Sequence, residues 1–289
     1  MYHFIINPKS SSGRGIRFWW VVKDELDKQK IEYNAVFTKH MGHATELARQ
    51  ICEENAGIKN IVILGGDGTV NEVMNGIDHF DEVLIGYIPS GSSNDLARSL
   101  KIPKDPLEAL SHTLKPTKFK YLDHGVINFL DKVQAPRRFT CSSGMGYDAS
   151  VCLEVQESPL KKSLNRFGAG KFVYIAIAIK QVLAASLLIS NMIHKYEGGG
   201  LLMAPGADPT DGLLTVTLVH GLSRAKVFVL LPTIFTGKHI KHKGVETFHC
   251  SEIEIKTDIN CAVHTDGEVP AVCSHIKVGC VHEQIRMIL

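Results

Sequence analysis

The seven cysteines of this sequence include no C-x-x-C pair. An odd number of cysteines without paired spacing argues against a zinc ribbon and against a complete disulfide framework. Strong charge of one sign is lacking as well, because the net charge is only +2, and this balance gives no indication of a nucleic-acid partner. We therefore expect reduced thiols, a cytoplasmic location and no nucleic-acid partner.

Long uninterrupted apolar runs are also lacking. The longest apolar stretch, residues 172–193, is interrupted by Lys180, Gln181 and Asn191, whereas a transmembrane helix needs about 20 predominantly apolar residues. The N-terminus has neither the charged region nor the long apolar region of a signal peptide. We therefore expect residues 172–193 to form a buried or interfacial helix that runs into a strand.

Motifs of the common nucleotide and metal sites are missing too. No G-x-x-x-x-G-K-[ST] occurs, which excludes a Walker A loop, and Asn71 stands where the last glycine of a G-x-G-x-x-G fingerprint would stand. None of the 14 histidines belongs to an H-E-x-x-H zinc motif. A nucleotide site in this chain must therefore be of another class.

Composition and length are those of a folded protein of two ordinary domains, with 289 residues, 44% of them hydrophobic and 21% charged. In the first third of the chain, short apolar runs alternate with helical patterns, and residues 61–64 and 84–88 are largely or wholly apolar. Continuous apolar strands separated by helices are typical of a parallel sheet covered on both faces. We predict a doubly wound α/β nucleotide-binding domain over residues 1–122.

The pattern changes beyond residue 123. Strand-like runs, broken by Gly, Pro and Asp turns, occupy residues 213–219, 252–256 and 275–278. Two helices are predicted between or before them, over 171–185 and 224–231. We predict a mainly antiparallel β domain, a sandwich or a barrel, over 123–279, with residues 280–289 returning to the first domain. A cleft between two such domains is a usual place for a small-molecule site.

A glycine-rich segment, G-G-D-G-T at residues 65–69, follows the predicted strand at 61–64. Its glycines let the backbone approach a ligand with only N–H groups in between. Thr69 and Glu72 have the spacing of a capping box, which predicts a helix start, and a helix N-terminus attracts anions. A glycine-rich turn without a ligand is the alternative, but Asp67 favours a site where a cation or a sugar hydroxyl offsets its charge.

A second loop of similar composition follows the next apolar strand. It reads P-S-G-S-S-N-D-L-A-R over residues 89–98, and Ser92 or Ser93 is predicted to cap the helix behind it. Since ligands of open α/β sheets bind at the carboxyl edge of the strands, both loops should line one site there. Two such loops on adjacent strands indicate phosphate binding more strongly than either one alone.

These segments belong to an ordered series along nearly the whole chain. Besides the two loops, the series contains Asn7-Pro8-Lys9, Thr38 with Gly42-His43-Ala44, Asp123-His124-Gly125, Gly146-Tyr147-Asp148-Ala149, Gly198-Gly199-Gly200 with Ala204-Pro205-Gly206-Ala207, Asp211-Gly212-Leu213-Leu214, and Asp266-Gly267-Glu268. The chain resembles the catalytic domain of the diacylglycerol kinase and sphingosine kinase superfamily, in its bacterial soluble lipid kinase branch. NAD kinases share the GGDGT segment, whereas the series that ends in D-G-E is highly specific.

The resemblance implies ATP as the phosphoryl donor and a diacylglycerol-like lipid as the acceptor. The residues that it implies for ATP are Asn7, Ser10, Ser11, Ser12, Gly13, Thr38, Gly65, Gly66, Asp67, Gly68, Thr69, Val70, Asn71, Ser92, Asn94 and Asp95. The family more often has Thr at the position of Ser92, and the hydroxyl is kept.

Metal and catalytic residues are implied as well. The resemblance implies a Mg²⁺-linked acidic network of Asp67, Asp95 and Asp123. It further implies a structural cation, held by the following residues: Asp211, with the carbonyls of Asp208 and Leu213. Glu268 would be the general base, and Asp266 belongs to the same catalytic D-G-E segment.

Other interpretations stay open. Asp211-Gly212 and Asp266-Gly267 are also strong hairpin-turn signals. Basic runs at 161–171 and 237–243 are solvated faces by default, although they would also suit peripheral contact with an anionic membrane. The alternatives for function are an NAD kinase-like phosphotransferase and a non-catalytic nucleotide-binding regulator, and a homodimer is left open.

The sequence departs from the family pattern in one place. The family has two or more further strands between the helix predicted at 171–185 and the glycines at 198–200, whereas only residues 186–197 intervene here. Either the substrate domain is shortened in this chain or residues are missing from the sequence, and the second interpretation is favoured. The lipid pocket is therefore the least defined part of the expected site.

Overall fold

The computed structural model describes residues 1–116, 118–157, 177 and 188–289. The helix predicted at 171–185 and the basic run at 161–171 lie outside these residues, except for Ile177. The chain divides into two compact units, the first formed by Met1–His124 with His282–Leu289 and the second by Gly125–Val281.

The first unit alternates strands and helices. Its elements are β1 (Tyr2–Ile6), α1 (Ser10–Lys28), β2 (Tyr33–Phe37), α2 (His43–Glu54), β3 (Lys59–Gly65), α3 (Asp67–Gly76), a 3-10 helix (Phe80–Glu82), β4 (Val83–Pro89), α4 (Asp95–Leu100), α5 (Pro106–Leu114), the start of β5 (Phe119–Phe129) and the end of β12 (Glu268–Ile288). Strands β2, β1, β3 and β4 are parallel neighbours in that order. The last residues of β12 extend this sheet, pairing in parallel with β4.

Helices cover both faces of this parallel sheet. On one face, Phe4 and Val62 pack with Trp19 of α1 and Leu110 of α5. Full burial of each such side chain stabilises the unit by about 1.5–3 kcal/mol. On the other face α2 packs closely on α3. The approach is so close that a Cβ at Gly76 would lie only 2.3 Å from a backbone carbonyl oxygen of α2. The doubly wound α/β architecture predicted from the apolar runs is confirmed.

The second unit is built on an antiparallel sheet. Its further elements are β6 (Arg137–Phe139), β7 (Ser142–Gly146), α6 (Tyr147–Glu157), β8 (Leu188–Met192), β9 (Leu214–Val219), α7 (Arg224–Ile234), a 3-10 helix (Lys238–Lys241), β10 (Val245–Cys250) and β11 (Glu252–Thr265). The strands follow the order β10, β9, β8, β7, β11, β12, and all neighbours in this order are antiparallel. Phe139, Met145, Val216 and Val263 are fully buried in its core. The predicted change to antiparallel β structure is confirmed.

The D-G-E segment contains a two-residue hairpin turn between β11 and β12. Thr265 pairs with Glu268 across the turn, and the intervening Asp266 and Gly267 have positive φ values of 48° and 84°. Tight hairpins of the I′ type require positive φ at both positions, which Asp-Gly accepts readily. The turn interpretation is confirmed here, whereas Asp211-Gly212 ends the long connection between β8 and β9 rather than a tight hairpin.

Several smaller expectations can be compared with the structure. All seven cysteines have free thiols, as expected. The helix predicted at 224–231 is α7, and the described part of the apolar stretch at 172–193 ends in strand β8. Among the residues described, no helix is both long enough and apolar enough to cross a bilayer.

Candidate active site

Three loops of the first unit meet at the carboxyl edge of its sheet, after β1, β3 and β4. The N–H of Asn7 donates to the Leu64 carbonyl at 2.8 Å, and the Asn7 side chain donates to Thr69 Oγ1 at 3.0 Å. The N–H of Ser90 donates to the Gly65 carbonyl at 2.7 Å. The parallel register therefore brings together the two loops that the sequence marked for phosphate.

Two glycines of these loops are in backbone contact. A Cβ at Gly66 would lie 3.0 Å from Gly91 Cα, and a Cβ at Gly91 would lie 2.5 Å from Gly66 Cα. Gly66 has φ −107°, so its backbone would accept any residue. Glycine is needed at position 66 because there is no room for a side chain, and not because of the backbone conformation. A side chain there would collide with the second loop before it reached a bound ligand.

Asp67 is bonded to the second loop. Its Oδ2 accepts from the N–H of Asp95 at 3.1 Å, and its Oδ1 accepts from the N–H of Leu96 at 3.3 Å. A carboxylate at a helix N-terminus satisfies free N–H groups and interacts favourably with the helix dipole. Asp67 therefore caps α4 from the neighbouring loop. The N–H groups at the start of α4 stabilise its negative charge.

The prediction that Ser92 or Ser93 caps this helix is wrong. The N-cap residue of α4 is Asn94, which has the left-handed φ of 51° that Asn tolerates better than most residues. Its side-chain amide donates to the Gly91 carbonyl at 3.0 Å and so closes the loop. The hydroxyl of Ser92 is exposed instead, 3.4 Å from the hydroxyl of Ser11.

The predicted capping box of α3 is also wrong. Helix α3 begins at Asp67, so Thr69 lies inside its first turn, where its hydroxyl accepts from the Asn7 side chain. Glu72 Oε2 accepts from the N–H of Ala44 at 3.0 Å and thereby satisfies the start of α2. Both side chains of the sequence pattern are thus taken by partners from other elements.

The first residues of α1, directly after β1, have a non-helical backbone and form a turn. Ser11, Ser12 and Gly13 have φ values of 46°, 58° and 91°, so three consecutive residues are left-handed. Non-glycine residues rarely adopt this conformation, and such strain concentrates at functional sites. Ser10 anchors the turn, because its hydroxyl is hydrogen-bonded to the buried hydroxyl of Ser90 at 2.6 Å.

The other residues predicted for ATP lie in or beside the same loops. Gly68, Val70 and Asn71 belong to the first turns of α3, and Asp95 is the first residue of α4. Thr38 follows β2, where its N–H donates to the last carbonyl of β1 at 2.8 Å. One edge of the sheet therefore carries all of them.

Glu268, in the second unit, forms an ion pair with Arg137. The Arg137 Nη2 donates to Glu268 Oε2, and its Nε donates to Thr265 Oγ1 at 2.9 Å. The two charged side chains are half-buried, with 28% and 24% of their surface exposed. A guanidinium held at two points fixes the direction of the carboxylate, and the ionised carboxylate is the form that can accept a proton.

Asp266, the other residue predicted as catalytic, has its carboxylate bonded to the chain before β7. Oδ2 accepts from the N–H and the hydroxyl of Thr140, at 2.8 and 3.0 Å. Oδ1 accepts from the N–H groups of Cys141 and Ser142, at 2.7 and 3.0 Å. Four hydrogen bonds to one carboxylate hold the hairpin turn in place beside Glu268.

Comparison with known proteins identifies the family. Residues 1–124 match the family model "Diacylglycerol kinase catalytic domain", and residues 142–288 match "YegS C-terminal NAD kinase beta sandwich-like domain". A protein of Bacillus subtilis (strain 168) named "Putative lipid kinase YtlR" is 31% identical over 291 residues, which cover 93% of each chain. The chain belongs to the diacylglycerol kinase family of lipid kinases.

Further relatives of the kinase agree with this assignment. A diacylglycerol kinase of Staphylococcus carnosus (strain TM300) is 27% identical over 276 residues, which cover 91% of this chain and 87% of that protein. A crystal structure of a diacylglycerol kinase from Bacillus anthracis str. Sterne matches with a TM-score of 0.68 at 18% identity, covering 99% and 96% of the two chains. The predicted α/β domain followed by a β-sandwich is confirmed.

In the kinase, Asp123 is buried beside the returning end of the chain. Its Oδ1 accepts from the N–H of Glu283 at 2.8 Å and lies 2.9 Å from His282 Nδ1. The ring of the adjacent His124 packs on Phe80, with 5.3 Å between the ring centroids. Asp123 therefore connects β5 to the end of β12, and the neighbouring His124 contacts the 3-10 helix before β4.

This position separates Asp123 from the other two aspartates of the predicted acidic network. Asp67 and Asp95 lie beyond the carboxyl ends of β3 and β4, whereas Asp123 lies near the amino end of β4. A strand of seven residues, as β4 is, spans about 20 Å. The predicted grouping of Asp123 with Asp67 and Asp95 is wrong, since the strand direction puts them at opposite ends of the sheet.

The turn predicted to hold a structural cation lies before β9. Asp208 Oδ1 accepts from the N–H and hydroxyl of Thr210, at 3.1 and 2.7 Å, and Asp211 Oδ1 accepts from the N–H of Leu213 at 3.0 Å. Both carboxylates are exposed and hold their own turn in shape. Carboxylate and carbonyl oxygens are what Mg²⁺ and Ca²⁺ prefer, so the donor set suits a hard cation.

Sequence reasoning missed two residues beside the D-G-E turn. Arg137 lies 131 residues before Glu268, and no local motif marks it as a partner. His264, two residues before Asp266, is fully buried against Asp148 and Glu197. The sequence position of His264, next to the D-G-E segment, could have marked it as a candidate, because a histidine adjacent to a catalytic turn can contact that turn.

Proposed function

We propose that the kinase transfers the γ-phosphoryl group of ATP to the hydroxyl of a diacylglycerol-like lipid, with Mg²⁺ bound to the nucleotide. The proposed binding of ATP is supported by one observation: three loops meet at one edge of the sheet. Gly66 contacts Gly91 there, and Asp67 caps α4. Such an edge offers backbone N–H groups and hydroxyls at close range, which suits phosphate.

The nucleotide is proposed to contact the residues that the family resemblance implied at this edge. The left-handed turn at Ser11 and Ser12, together with the exposed Ser92, places hydroxyls beside the glycine-rich loop. Ser10 and Thr69 are already bonded within the protein, so their role is to fix the loops. Asp123 is left out of the proposed Mg²⁺ site, because it lies at the other end of β4.

The acidic residues fit a Mg²⁺ that is held mainly by phosphates and water. The two oxygens of Asp67 accept N–H groups of the second loop, and a carboxylate held beside bound phosphates is a suitable ligand for Mg²⁺ or for its bound water. Asp95 is paired with Arg98 at 2.9 Å and is only 7% exposed, which suits it to support the loop. Mg²⁺ would neutralise charge on the transferred phosphoryl group.

Glu268 is proposed as the general base and Asp266 as the residue that positions it. The Glu268 carboxylate is partly exposed and can accept a proton from a lipid hydroxyl, whereas the Asp266 carboxylate is engaged by four donors. Arg137 sets the orientation of Glu268. The cation turn at Asp211 is proposed to be structural.

Incubation of the purified kinase with labelled ATP and a panel of lipids tests the proposed function. Label is expected in diacylglycerol, dependent on Mg²⁺. Label appearing in NAD instead would establish the NAD kinase-like alternative. ATP binding without transfer to any lipid would favour a nucleotide-binding regulator and contradict the proposal.

Gly66→Ala is expected to weaken ATP affinity by about tenfold, since a methyl group at 3.0 Å from Gly91 Cα pushes the two loops apart by a few tenths of an ångström. The measurement is calorimetric titration with Mg-ATP. Gly279→Ala is the matched control, because its added Cβ would meet an ordinary contact at 3.9 Å in the other unit. Unchanged affinity in Gly66→Ala would remove these loops from the nucleotide site.

Helix α7 has an exposed apolar face that we assign to the proposed membrane contact. Val229 is 73% exposed, and Ala225 and Pro232, one turn before and after it, are exposed on the same side. Phe235, just past the helix, is 64% exposed. Exposed lysines lie in α7 and in the chain that follows it: Lys226, Lys238, Lys241 and Lys243. Such a surface suits an anionic bilayer, at about 1 kcal/mol for each Lys near the lipid.

Val229→Glu is expected to weaken binding to vesicles that contain phosphatidylglycerol by at least about tenfold, because burial of a valine contributes about 1.5–3 kcal/mol. Vesicle co-sedimentation measures this, with phosphatidylcholine vesicles as the neutral comparison. Val133→Glu, in the fully exposed loop before β6, is the control for the added charge. Equal binding of the two variants would assign the α7 face to solvent.

A further inference from the structure

A buried cluster of metal-binding side chains lies in the second unit, apart from the residues proposed for ATP. His264 of β11 is fully buried, and its Nε2 lies 3.3 Å from Asp148 Oδ2 and 3.2 Å from Glu197 Oε1. These three donor atoms all lie within 4.8 Å of one another. Asp148 is in the first turn of α6, and Glu197 pairs with Leu201 in an isolated bridge, so three separate segments meet here.

The distances fit the edges of a small coordination tetrahedron. Zn²⁺ binds histidine nitrogen and carboxylate oxygen at about 2.0–2.2 Å, which places neighbouring ligand atoms about 3.3–3.5 Å apart in tetrahedral geometry. The two measured edges, 3.3 and 3.2 Å, are close to this separation. Asp148 is also oriented for the role, because its Oδ1 accepts from the N–H of Ala149 at 2.7 Å and leaves Oδ2 facing His264.

A glycine of β7 makes room for two of the donor atoms. Gly144 of β7 is the register partner of His264, and a Cβ there would lie 2.1 Å from Asp148 Oδ2 and 2.6 Å from His264 Nε2. No side chain can occupy position 144 without displacing these atoms. Glycine at this position therefore allows Asp148 and His264 to pack directly against the backbone of β7.

Charge gives a further argument. Two carboxylates beside one imidazole carry a net charge of −1 among themselves even when the imidazole is protonated, and a largely buried cluster of this kind attracts a cation. A divalent cation bound to two carboxylates and a neutral histidine brings the sum to zero. Without a metal ion, part of the negative charge is offset by protonation of His264. Burial lowers the pKa of His264, but the nearby carboxylates of Asp148 and Glu197 have the larger effect and raise that pKa to about 9.

We propose that Asp148, Glu197 and His264 form a site for a divalent transition-metal ion of the Zn²⁺ class, with water in the fourth position. The ion would tie α6 and the turn before Gly198 to β11, directly before the hairpin that carries Glu268. His264 Nδ1 lies 3.4 Å from the N–H nitrogen of Gly267 in that hairpin. The site does not depend on the proposed function, because none of its ligands is assigned to ATP or to proton transfer.

The test uses the full chain, freed of metal by a chelator and titrated with Zn²⁺ by calorimetry and with Co²⁺ by visible absorption. His40, His43 and Glu46 form a second, surface-exposed group that could bind metal, so all measurements use a His40→Ala/His43→Ala background. We expect one equivalent of metal and the visible bands of tetrahedral Co²⁺. A thiolate-to-cobalt charge-transfer band must be absent, because the free cysteines are alternative ligands.

Two ligand variants and one space-filling variant decide the assignment. Glu197→Gln and Asp148→Asn keep the side-chain shape and are expected to weaken Zn²⁺ binding by at least about tenfold, the lower range for loss of a supporting contact at a metal site. Gly144→Ala should do the same, because its Cβ would displace the donor oxygen of Asp148 and the donor nitrogen of His264. Each variant is checked by its melting temperature with chelator, which shows that it folds.

The competing explanation is a protonated His264 that only bridges two carboxylates. In that case the variants lower the melting temperature equally with Zn²⁺ and with chelator, and the background chain binds no metal. Either result would overturn the proposal, as would full metal affinity in Glu197→Gln. A melting temperature that rises with Zn²⁺ in the background chain, and not in Glu197→Gln, is the expected outcome.

Discussion

Glu268→Gln is expected to lower kcat for lipid phosphorylation by roughly 10²- to 10⁴-fold. A lipid hydroxyl is a poor nucleophile at neutral pH, and a positioned carboxylate that accepts its proton contributes on that order. Glutamine keeps the size of the side chain and an oxygen for Arg137, but it cannot accept the proton. The measurement is steady-state turnover with ATP and diacylglycerol.

The melting temperature and the ATP affinity of Glu268→Gln should stay close to those of the parent, because glutamine keeps a side-chain oxygen that can accept the hydrogen bond from Arg137. Glu252→Gln is the matched control, as it removes an exposed carboxylate paired with Lys277 on the same sheet. Turnover of Glu268→Gln within about threefold of the parent, well short of the general-base range, would reduce Glu268 to a structural residue of the hairpin.

Much of the fold could be predicted because its signals are local. The apolar runs at 61–64 and 84–88 are the cores of β3 and β4, and the parallel arrangement follows from the helices between them. Asp266-Gly267 is the turn that its sequence predicts, since positive φ at two successive positions favours these residue types. Where two loops follow adjacent parallel strands, their meeting at one edge follows from topology.

The predictions that failed depended on local patterns whose side chains found distant partners. Thr69 and Glu72 have capping-box spacing, but Asn7 and the start of α2 take their bonds. Asp67 caps α4, 28 and 29 residues away from the N–H groups that it satisfies. Local propensity is a weak prior when tertiary contacts offer stronger bonds, especially to charged acceptors.

Contacts between residues that are far apart in the sequence cannot be predicted from the spacing of local motifs. Arg137 and Glu268 are 131 residues apart, and His264 meets Asp148 across a separation of 116 residues. The misplacement of Asp123 has the same origin, because an acidic residue at the end of a motif does not reveal which end of the sheet it will occupy. Strand direction decided it, through the return of β12 beside β4.

Asp266→Asn is expected to have the largest effect on stability, lowering it by about 3 kcal/mol or more. The carboxylate accepts from Thr140, Cys141 and Ser142, all buried, and hydrogen bonds to a charged group contribute about 1.5–3 kcal/mol each. Asparagine tolerates the positive φ of 48° at this position, so the change isolates the loss of the charged acceptor. An amide group turned toward these N–H donors would leave at least one of them unsatisfied.

Thermal unfolding with and without ligands measures this effect, and a drop in melting temperature on the order of 5–10 °C is expected for a chain of this size. Asp131→Asn is the matched control, because Asp131 makes a similar pair of bonds to Ser274 but is exposed, so its loss should be small. Turnover of Asp266→Asn should fall together with the melting temperature, since the hairpin that orients Glu268 loses its anchor. Lost turnover at an unchanged melting temperature would instead mean that Asp266 acts on the substrate itself and that the fold does not depend on its hydrogen bonds.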